Sequence, residues 1–150
     1  MRLFFAGILC IVCCVPSFSQ QNTLYGEHVR KAEQLLAASA FSEAAREYSA
    51  AFESLGWKGY LEDRYNAARA WAMSGVPDSA FMNLFRITEK LHFDDLDAVQ
   101  AEAHFSSLHP DPRWPELCAK IKANQPAMPG IQKILKNVLI EDPRVAQTTT

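Results

Sequence analysis

Apolar and small residues recur every three or four positions in four separate runs between residues 24 and 91. This spacing is that of one face of an α-helix, so each run predicts an amphipathic helix. Gly56, Gly59 and Gly75 interrupt the runs, and Pro77 stands where the first turn of a helix tolerates proline. No window alternates as a strand would. The sequence therefore predicts an all-α fold.

The buried face of each predicted helix follows from the run that defines it. The first helix is expected to bury Leu24, His28, Ala32, Leu35 and Leu36, and the second Phe41, Ala44, Ala45, Tyr48, Ala51, Phe52 and Leu55. The third is expected to bury Leu61, Tyr65, Ala68, Trp71 and Ala72, and the fourth Ala80, Leu84, Phe85, Ile87 and Leu91. These four faces are the predicted core.

The first pair of helices matches the second at a constant offset of 36 residues. The matched positions are Ala32 and Ala68, Leu35 and Trp71, Phe41 and Pro77, Ala44 and Ala80, Tyr48 and Leu84, and Ala51 and Ile87. Internal similarity at a period of about 20–50 residues is typical of stacked helix pairs. The sequence therefore predicts two copies of one helix-pair unit.

The second copy resembles the tetratricopeptide repeat family. The resemblance rests on Tyr65-Asn66-Ala67-Ala68, Trp71-Ala72, Gly75 and Asp78-Ser79-Ala80, with Ala44 and Ala80 at the family's most characteristic small position. The first copy departs from the pattern, with Ala32 and Ser39 where the family prefers glycine, and the offset exceeds the usual period of about 34 by two residues. The resemblance implies a right-handed solenoid of two antiparallel helix pairs.

Residues 94–121 resemble the segment that closes tetratricopeptide arrays in many secreted bacterial proteins. The matching residues are Asp94-Asp95-Leu96, His104-Phe105, Leu108, Asp111-Pro112-Arg113-Trp114 and Leu117. A solenoid ends in an element with one apolar face and one solvent-exposed face. The apolar face here would be formed by Phe105, Leu108, Trp114, Leu117 and Ile121, with Lys120 and Lys122 facing water. The predicted domain spans residues 22–123, two repeats followed by capping helices.

The first 20 residues predict a secretory signal peptide. An uncharged run from Leu3 to Val15 ends in Pro16-Ser17-Phe18-Ser19-Gln20, with cleavage expected after Ser19 or Gln20. The run is shorter than the roughly 20 residues that a membrane span needs, so no span is expected after cleavage. A secreted or periplasmic location follows. The alternative is a membrane anchor through an uncleaved or lipidated N-terminus.

Cleavage would leave Cys118 as the one thiol, so no intrachain disulfide is expected and Cys118 is predicted to be a small buried hydrophobe. Trp71 and Trp114 are predicted core residues, whereas Trp57 lies in a turn and is the tryptophan expected to be exposed.

Residues 124–150 are predicted to be a linker, a short amphipathic helix and a frayed tail. The helix carries an apolar stripe of Ile131, Ile134, Leu135, Val138 and Leu139. Two repeats are fewer than the three or so that usually make a solenoid stable, so something is expected to cover the first helix. The stripe folding back and a second copy of the chain, giving a homodimer, are the two candidates. A stripe offered to a partner's groove is the alternative.

Charge and motifs exclude several function classes. The chain carries 15 Lys+Arg and 17 Asp+Glu, for a net charge of -2, which lacks the basic patch of a nucleic-acid binder. No glycine-rich phosphate loop is present. No two histidines are four residues apart. Asp94, Asp95 and Asp97 lack the glycine and glutamate of a calcium loop, so they are predicted to be helix-start carboxylates that the helix dipole favours. No metal and no cofactor are expected.

The tetratricopeptide resemblance implies a non-catalytic adaptor that binds a protein or peptide. In that family the first helix of each pair lines a concave face, which on this chain would hold Arg30, Glu33, Tyr65, Asn66, Arg69 and Met73. Asn66 and Arg69 are the candidates to hydrogen-bond a peptide backbone or carboxylate, with Arg30 adding charge. The alternative is that Asn66 only braces the neighbouring helix and the arginines are solvated.

A second hypothesis comes from a different class, a small secreted hydrolase that uses His104, His109 and the Asp94–Asp97 cluster. Its support is the local density of polar groups. Ser106 and Ser107 lie nearby but lack a glycine-flanked nucleophile turn. No nucleophile, base and orienting group can be named together from the sequence, so the adaptor is the leading hypothesis.

Overall fold

The computed structural model describes residues 18–126, with side chains from Asn22 onward. The elements are α1 (Phe18–Ala37), α2 (Phe41–Ser54), α3 (Leu61–Met73), α4 (Pro77–Leu91), α5 (Leu96–Ala101), a 3₁₀ helix (Ala103–Leu108) and α6 (Arg113–Asn124). This part of the chain contains no strand, which confirms the all-α class there. The helix starts at Phe41, Leu61 and Pro77 agree with the sequence predictions.

Two sequence predictions lie wholly or largely outside the described residues. The predicted signal peptide covers residues 1–20, of which the structure describes only the last three, at the start of α1. The amphipathic tail helix at residues 131–139 lies beyond Pro126. Within residues 18–126, no helix combines the length and apolar character needed to cross a bilayer.

Consecutive helices pack against each other, α1 on α2, α2 on α3 and α3 on α4. Ala44, Ala45 and Ala70 are fully buried together where α2 and α3 meet, with Leu35 and Trp71 packed around them. Small side chains let two helix backbones approach closely, and larger ones fill the space on either side. The predicted small position at Ala44 and its counterpart Ala80 are both fully buried.

The two helix pairs share a backbone feature at the turn inside each pair. Ser39 has a φ of 58° and Gly75 a φ of 73°, exactly one 36-residue offset apart. In both turns the next amide donates back five residues, from Ala40 to Leu35 and from Val76 to Trp71. This is the left-handed turn that commonly ends an α-helix. The internal match therefore extends from side-chain pattern to backbone conformation.

The buried face of α1 differs from the prediction. Leu24 is 43% exposed, whereas its neighbour Tyr25 is 5% exposed. Tyr25 packs against Phe52 and donates a hydrogen bond to the buried Asp63, a partner that helical spacing alone does not reveal. His28, predicted to be buried, is half-exposed, with Nδ1 at 2.7 Å from the carboxylate of Glu47.

The residues after α4 close one end of the helix pairs. Phe105, Leu108, Trp114, Leu117 and Ile121 are buried in one cluster with Ala68, Ala72, Ala80, Phe81, Leu84 and Ile87 of α3 and α4. Asp95 accepts a hydrogen bond from the backbone N–H of Ala98 at 2.9 Å, which confirms a helix-start role for this carboxylate. Lys120, expected to face water, is partly exposed and forms a surface ion pair with Glu89 at 2.9 Å.

The tryptophans and the cysteine are placed as predicted. Trp114 is buried, Trp71 is half-buried in the core, and Trp57 is 54% exposed. Cys118 is half-buried, and burial raises the pKa of its thiol. A raised pKa lowers the thiolate fraction and hence the reactivity of the sulfur, as expected for a packing role.

Candidate functional site: the α1–α3 face

The six residues of the predicted concave face lie on α1 and α3, and we call this set the α1–α3 face. It comprises Arg30, Glu33, Tyr65, Asn66, Arg69 and Met73. Arg30, Glu33 and Met73 are exposed, whereas Tyr65, Asn66 and Arg69 are half-buried. Asn66 and Arg69 occupy the positions on α3 that Arg30 and Glu33 occupy on α1, 36 residues earlier.

A buried tyrosine of α2 connects the two helices of this face. The side chain of Tyr48 is fully buried, and burial raises the pKa of its hydroxyl. The charge of Glu33 raises this pKa further, while Asn66 and the charge of Arg69 lower it. Glu33 on α1 and the Asn66–Arg69 pair on α3 therefore influence the same buried hydroxyl.

Arg69 lies at the centre of a polar cluster that joins α3 to the 3₁₀ helix. Its Nη1 donates to Asn66 Oδ1 at 3.1 Å, and its Nε lies 3.2 Å from Glu102 Oε2. Its Nη2 lies 3.5 Å from Nδ1 of His104. We call Asn66, Arg69, Glu102 and His104 the Arg69 cluster.

Glu102 is held in its charged form by this cluster. Its carboxylate accepts from the backbone N–H of His104 at 3.1 Å and contacts the His104 ring nitrogen at 2.5 Å. Burial raises the pKa of Glu102, but the hydrogen bonds from His104 and the charge of Arg69 outweigh burial and lower it overall. Arg69 therefore already has a carboxylate partner within the chain.

Two buried polar atoms at this face lack a well-aligned hydrogen bond. Among the described side chains, these are the hydroxyl of Tyr48, which Asn66 approaches closely enough to lower its pKa, and Nε of Arg69. The Arg69 Nε is near Glu102, but its N–H is not aligned with that carboxylate. Unsatisfied buried polar groups are rare in folded proteins because each costs free energy. Their occurrence side by side makes the α1–α3 face the best candidate site.

Tyr65 differs from the rest of the predicted set because it is built into the core. Its ring lies between Phe93 and Phe105, with centroid distances of 5.8 and 5.4 Å. Its hydroxyl donates to the carbonyl of Ala98 at 3.4 Å, and burial raises its pKa to about 12. Tyr65 therefore fixes the chain after α4 against α3, and the surface of the face is provided by the other residues.

The residues of the hydrolase hypothesis have separate partners. His104 contacts Glu102, Arg69 and the ring of Phe41, and none of these residues is a serine, threonine or cysteine. His109 packs on Trp114 at a centroid distance of 4.4 Å. Within residues 22–126, no group of three His, Cys, Asp or Glu side chains is arranged to hold a metal ion.

Sequence reasoning missed two residues of this site. Tyr48 was assigned to the core, and the one signal of a further role is that its matched position holds Leu84, which has no hydroxyl. Glu102 lies between short helices outside every periodic run, so no pattern marks it.

No protein-family model matches this sequence, and neither a curated protein nor a solved structure matches it significantly. The tetratricopeptide resemblance therefore stays a prediction from the sequence.

Proposed function

We propose that the chain is a non-catalytic, extracytoplasmic helical-repeat adaptor that binds a protein or peptide on the α1–α3 face. A right-handed, tetratricopeptide-like solenoid of two helix pairs with closing helices is part of this proposal. The 36-residue match between the pairs, which includes the turns at Ser39 and Gly75, supports it.

The observation that carries the proposal is the pair of buried polar atoms without a well-aligned hydrogen bond, the Tyr48 hydroxyl and Arg69 Nε. An extended peptide presents a donor and an acceptor at each residue, so it can satisfy a hydroxyl and an N–H together. Asn66 and Arg69, which both influence the Tyr48 hydroxyl, are themselves half-buried at this face. Binding would then supply hydrogen bonds to these two groups and remove the free-energy cost of leaving them without partners.

The charges of the face indicate what kind of partner it suits. Arg69 lies beside Glu102, so its positive charge is largely neutralised within the chain. Arg30 and Glu33 are exposed, and their charges are opposite. A partner recognised through its backbone, with an apolar side chain against the exposed Met73, fits this surface better than a free carboxylate does.

Site-specific photocrosslinking tests the proposal in the secreted or periplasmic fraction. A photoreactive amino acid at position 73 should give adducts with a partner, because Met73 is 45% exposed on the face. The same amino acid at position 82 is the matched control, because Met82 is 51% exposed but lies on α4. A charge swap at the face, Arg30→Glu with Arg69→Glu, should remove the position-73 adducts, because Arg69 Nε is one of the two buried atoms that the partner is proposed to satisfy.

Two results would contradict the adaptor. Equal adducts from positions 73 and 82, or adducts unchanged by the charge swap, would place the partner elsewhere. A hydrolase screen provides the second check, since hydrolytic activity that disappears in His104→Ala would establish the enzyme hypothesis instead.

A further inference from the structure

A basic cavity of about 500 Å³ opens beside the loop that joins α2 to α3. Lys58, Arg64, Arg86 and Lys90 supply four cationic side chains to its wall, and Trp57 and Leu91 supply apolar surface. No Asp or Glu side chain is part of the lining. Although the chain has more acidic than basic residues, four cationic side chains surround this cavity.

Arg64 is the buried cation of this cavity and has neutral partners. It is 2% exposed. Its Nη1 donates to Asn83 Oδ1 at 2.9 Å, its Nη2 to the Trp57 carbonyl at 2.6 Å, and its guanidinium lies 4.2 Å from the centre of the Phe52 ring. Burying a charge without an opposite charge is costly, and burial together with the charge of Arg86 lowers the pKa of Arg64 to about 10.

Arg86 approaches the same oxygen from the exposed side. Its Nη1 donates to the Trp57 carbonyl at 2.9 Å, so two guanidinium groups converge on one neutral acceptor. The two like charges repel each other, and an anion beside them would offset this repulsion. Lys90 follows Arg86 by four residues on α4, which places it on the same face of that helix.

The loop keeps the carbonyl and ring of Trp57 at the cavity. Gly56 and Trp57 both have positive φ angles, of 64° and 62°. A bulky residue seldom adopts this conformation, and it persists only where the surroundings enforce it. Gly59 supplies part of that constraint, since a Cβ there would lie 2.7 Å from carbons of the Phe52 ring. The Trp57 ring itself remains 54% exposed.

We propose that this cavity is a binding site for an organic oxyanion, a carboxylate or phosphate carried on a flat apolar body. The anionic group binds the exposed Arg86, with the buried positive charge of Arg64 behind it, and the apolar body lies against Trp57 and Leu91. The cavity volume is in the range of small-molecule sites. Guanidinium groups bind both oxyanions through paired hydrogen bonds. The site is separate from the α1–α3 face, so it is independent of the proposed adaptor function.

Titration of the chain with benzoate, phenyl phosphate and benzamide tests the site. Benzamide has nearly the shape of benzoate without its charge. Both anions should raise the melting temperature and shift the indole N–H signal that disappears in Trp57→Phe, whereas benzamide should do neither. The anion that binds more tightly identifies carboxylate or phosphate as the natural group.

Two charge-removing variants complete the test. Arg86→Gln should weaken binding of the anions by about tenfold or more, because it removes one charge-assisted contact. Arg86 is exposed, so this variant should fold even if Arg64→Gln does not. Lys122→Gln, which removes an exposed cation of α6, is the matched control and should leave binding unchanged. Absence of anion binding, an equal response to benzamide, or unchanged binding in Arg86→Gln would overturn the proposal.

Discussion

Single buried polar contacts join the two helix pairs, and Tyr25 makes the most important of them. Its hydroxyl donates to the carboxylate of Asp63, which is 9% exposed, and accepts from the backbone N–H of Tyr60 at 3.3 Å. Burial, together with the bond to Asp63, raises the pKa of Tyr25. Asp63 lies in the first turn of α3, where the helix dipole favours a negative charge. One hydroxyl of α1 therefore satisfies a buried carboxylate of α3.

At this scale we predict that Tyr25→Phe lowers the free energy of unfolding by about 1–3 kcal/mol, because it leaves the Asp63 carboxylate buried without its donor. Urea unfolding at neutral pH measures the change. Tyr60→Phe is the matched control, since the Tyr60 ring is 62% exposed, and it should alter stability by less than about 0.5 kcal/mol. Equal losses of unfolding free energy in the two variants would show that the hydrogen bond from Tyr25 to Asp63 does not stabilise the fold.

At the scale of the element, α1 and α3 each end in a left-handed turn that leads into the second helix of the pair. The turns at Ser39 and Gly75 have the same left-handed backbone, although only one of them has glycine. A residue with a Cβ pays about 1 kcal/mol or more to adopt this conformation. A Cβ added at Gly75 would meet nothing within 4 Å, so any effect of substitution there is a backbone effect.

We therefore predict opposite effects for reciprocal substitutions in the two turns. Ser39→Gly should raise the free energy of unfolding by about 0.5–1 kcal/mol, and Gly75→Ser should lower it by about 1 kcal/mol. Thermal and urea unfolding measure both. Ser42→Gly is the control for the effect of glycine within a helix. Ser42 is an exposed residue of α2, so this substitution should be destabilising. If Ser39→Gly destabilises as well, the turn at Ser39 is not strained.

At the scale of the whole molecule, the closing segment is attached to α4 by charge as well as by apolar contact. Arg113 pairs with Asp111 at 2.7 Å and with Asp78 of α4 at 2.8 Å, and its guanidinium lies 4.3 Å from the centre of the Phe81 ring. Hydrogen bonds from Arg113 lower the pKa of Asp111 from 3.8 to about 2. The same bonds raise the pKa of Arg113.

This pKa shift predicts a specific pH dependence. A carboxylate with a lowered pKa in the folded state stabilises the fold above its unfolded pKa and loses that contribution as pH falls from about 4 to about 2. Asp111→Asn should therefore be less stable than the parent above pH 4, and the gap should close by about pH 2. Denaturant unfolding across this range measures it, with Asp97→Asn as the exposed control. A gap that does not change with pH would contradict the ionic role of Asp111.

The sequence alone was sufficient for the starts of α2, α3 and α4 and for much of the core. Apolar spacing, Pro77 and Gly75 act within a few residues of chain, so the starts of α2, α3 and α4 follow from local rules. The apolar residues of the closing segment were also identified correctly, since Phe105, Trp114 and others are buried against α3 and α4. Of the predicted site residues, Asn66 and Arg69 share one polar cluster, whereas Tyr65 packs in the core.

The tertiary structure decided which neighbour each helix face meets. Tyr25 rather than Leu24 is buried because Asp63, 38 residues later, accepts a hydrogen bond from the Tyr25 hydroxyl. Glu102 pairs with Arg69 across 33 positions, and Arg64 and Arg86 meet at the carbonyl of Trp57. Apolar periodicity depends on the local geometry of one helix, so it predicts which residues face inward. Charge pairing and hydrogen bonding depend on distances between helices, which only the packed chain sets.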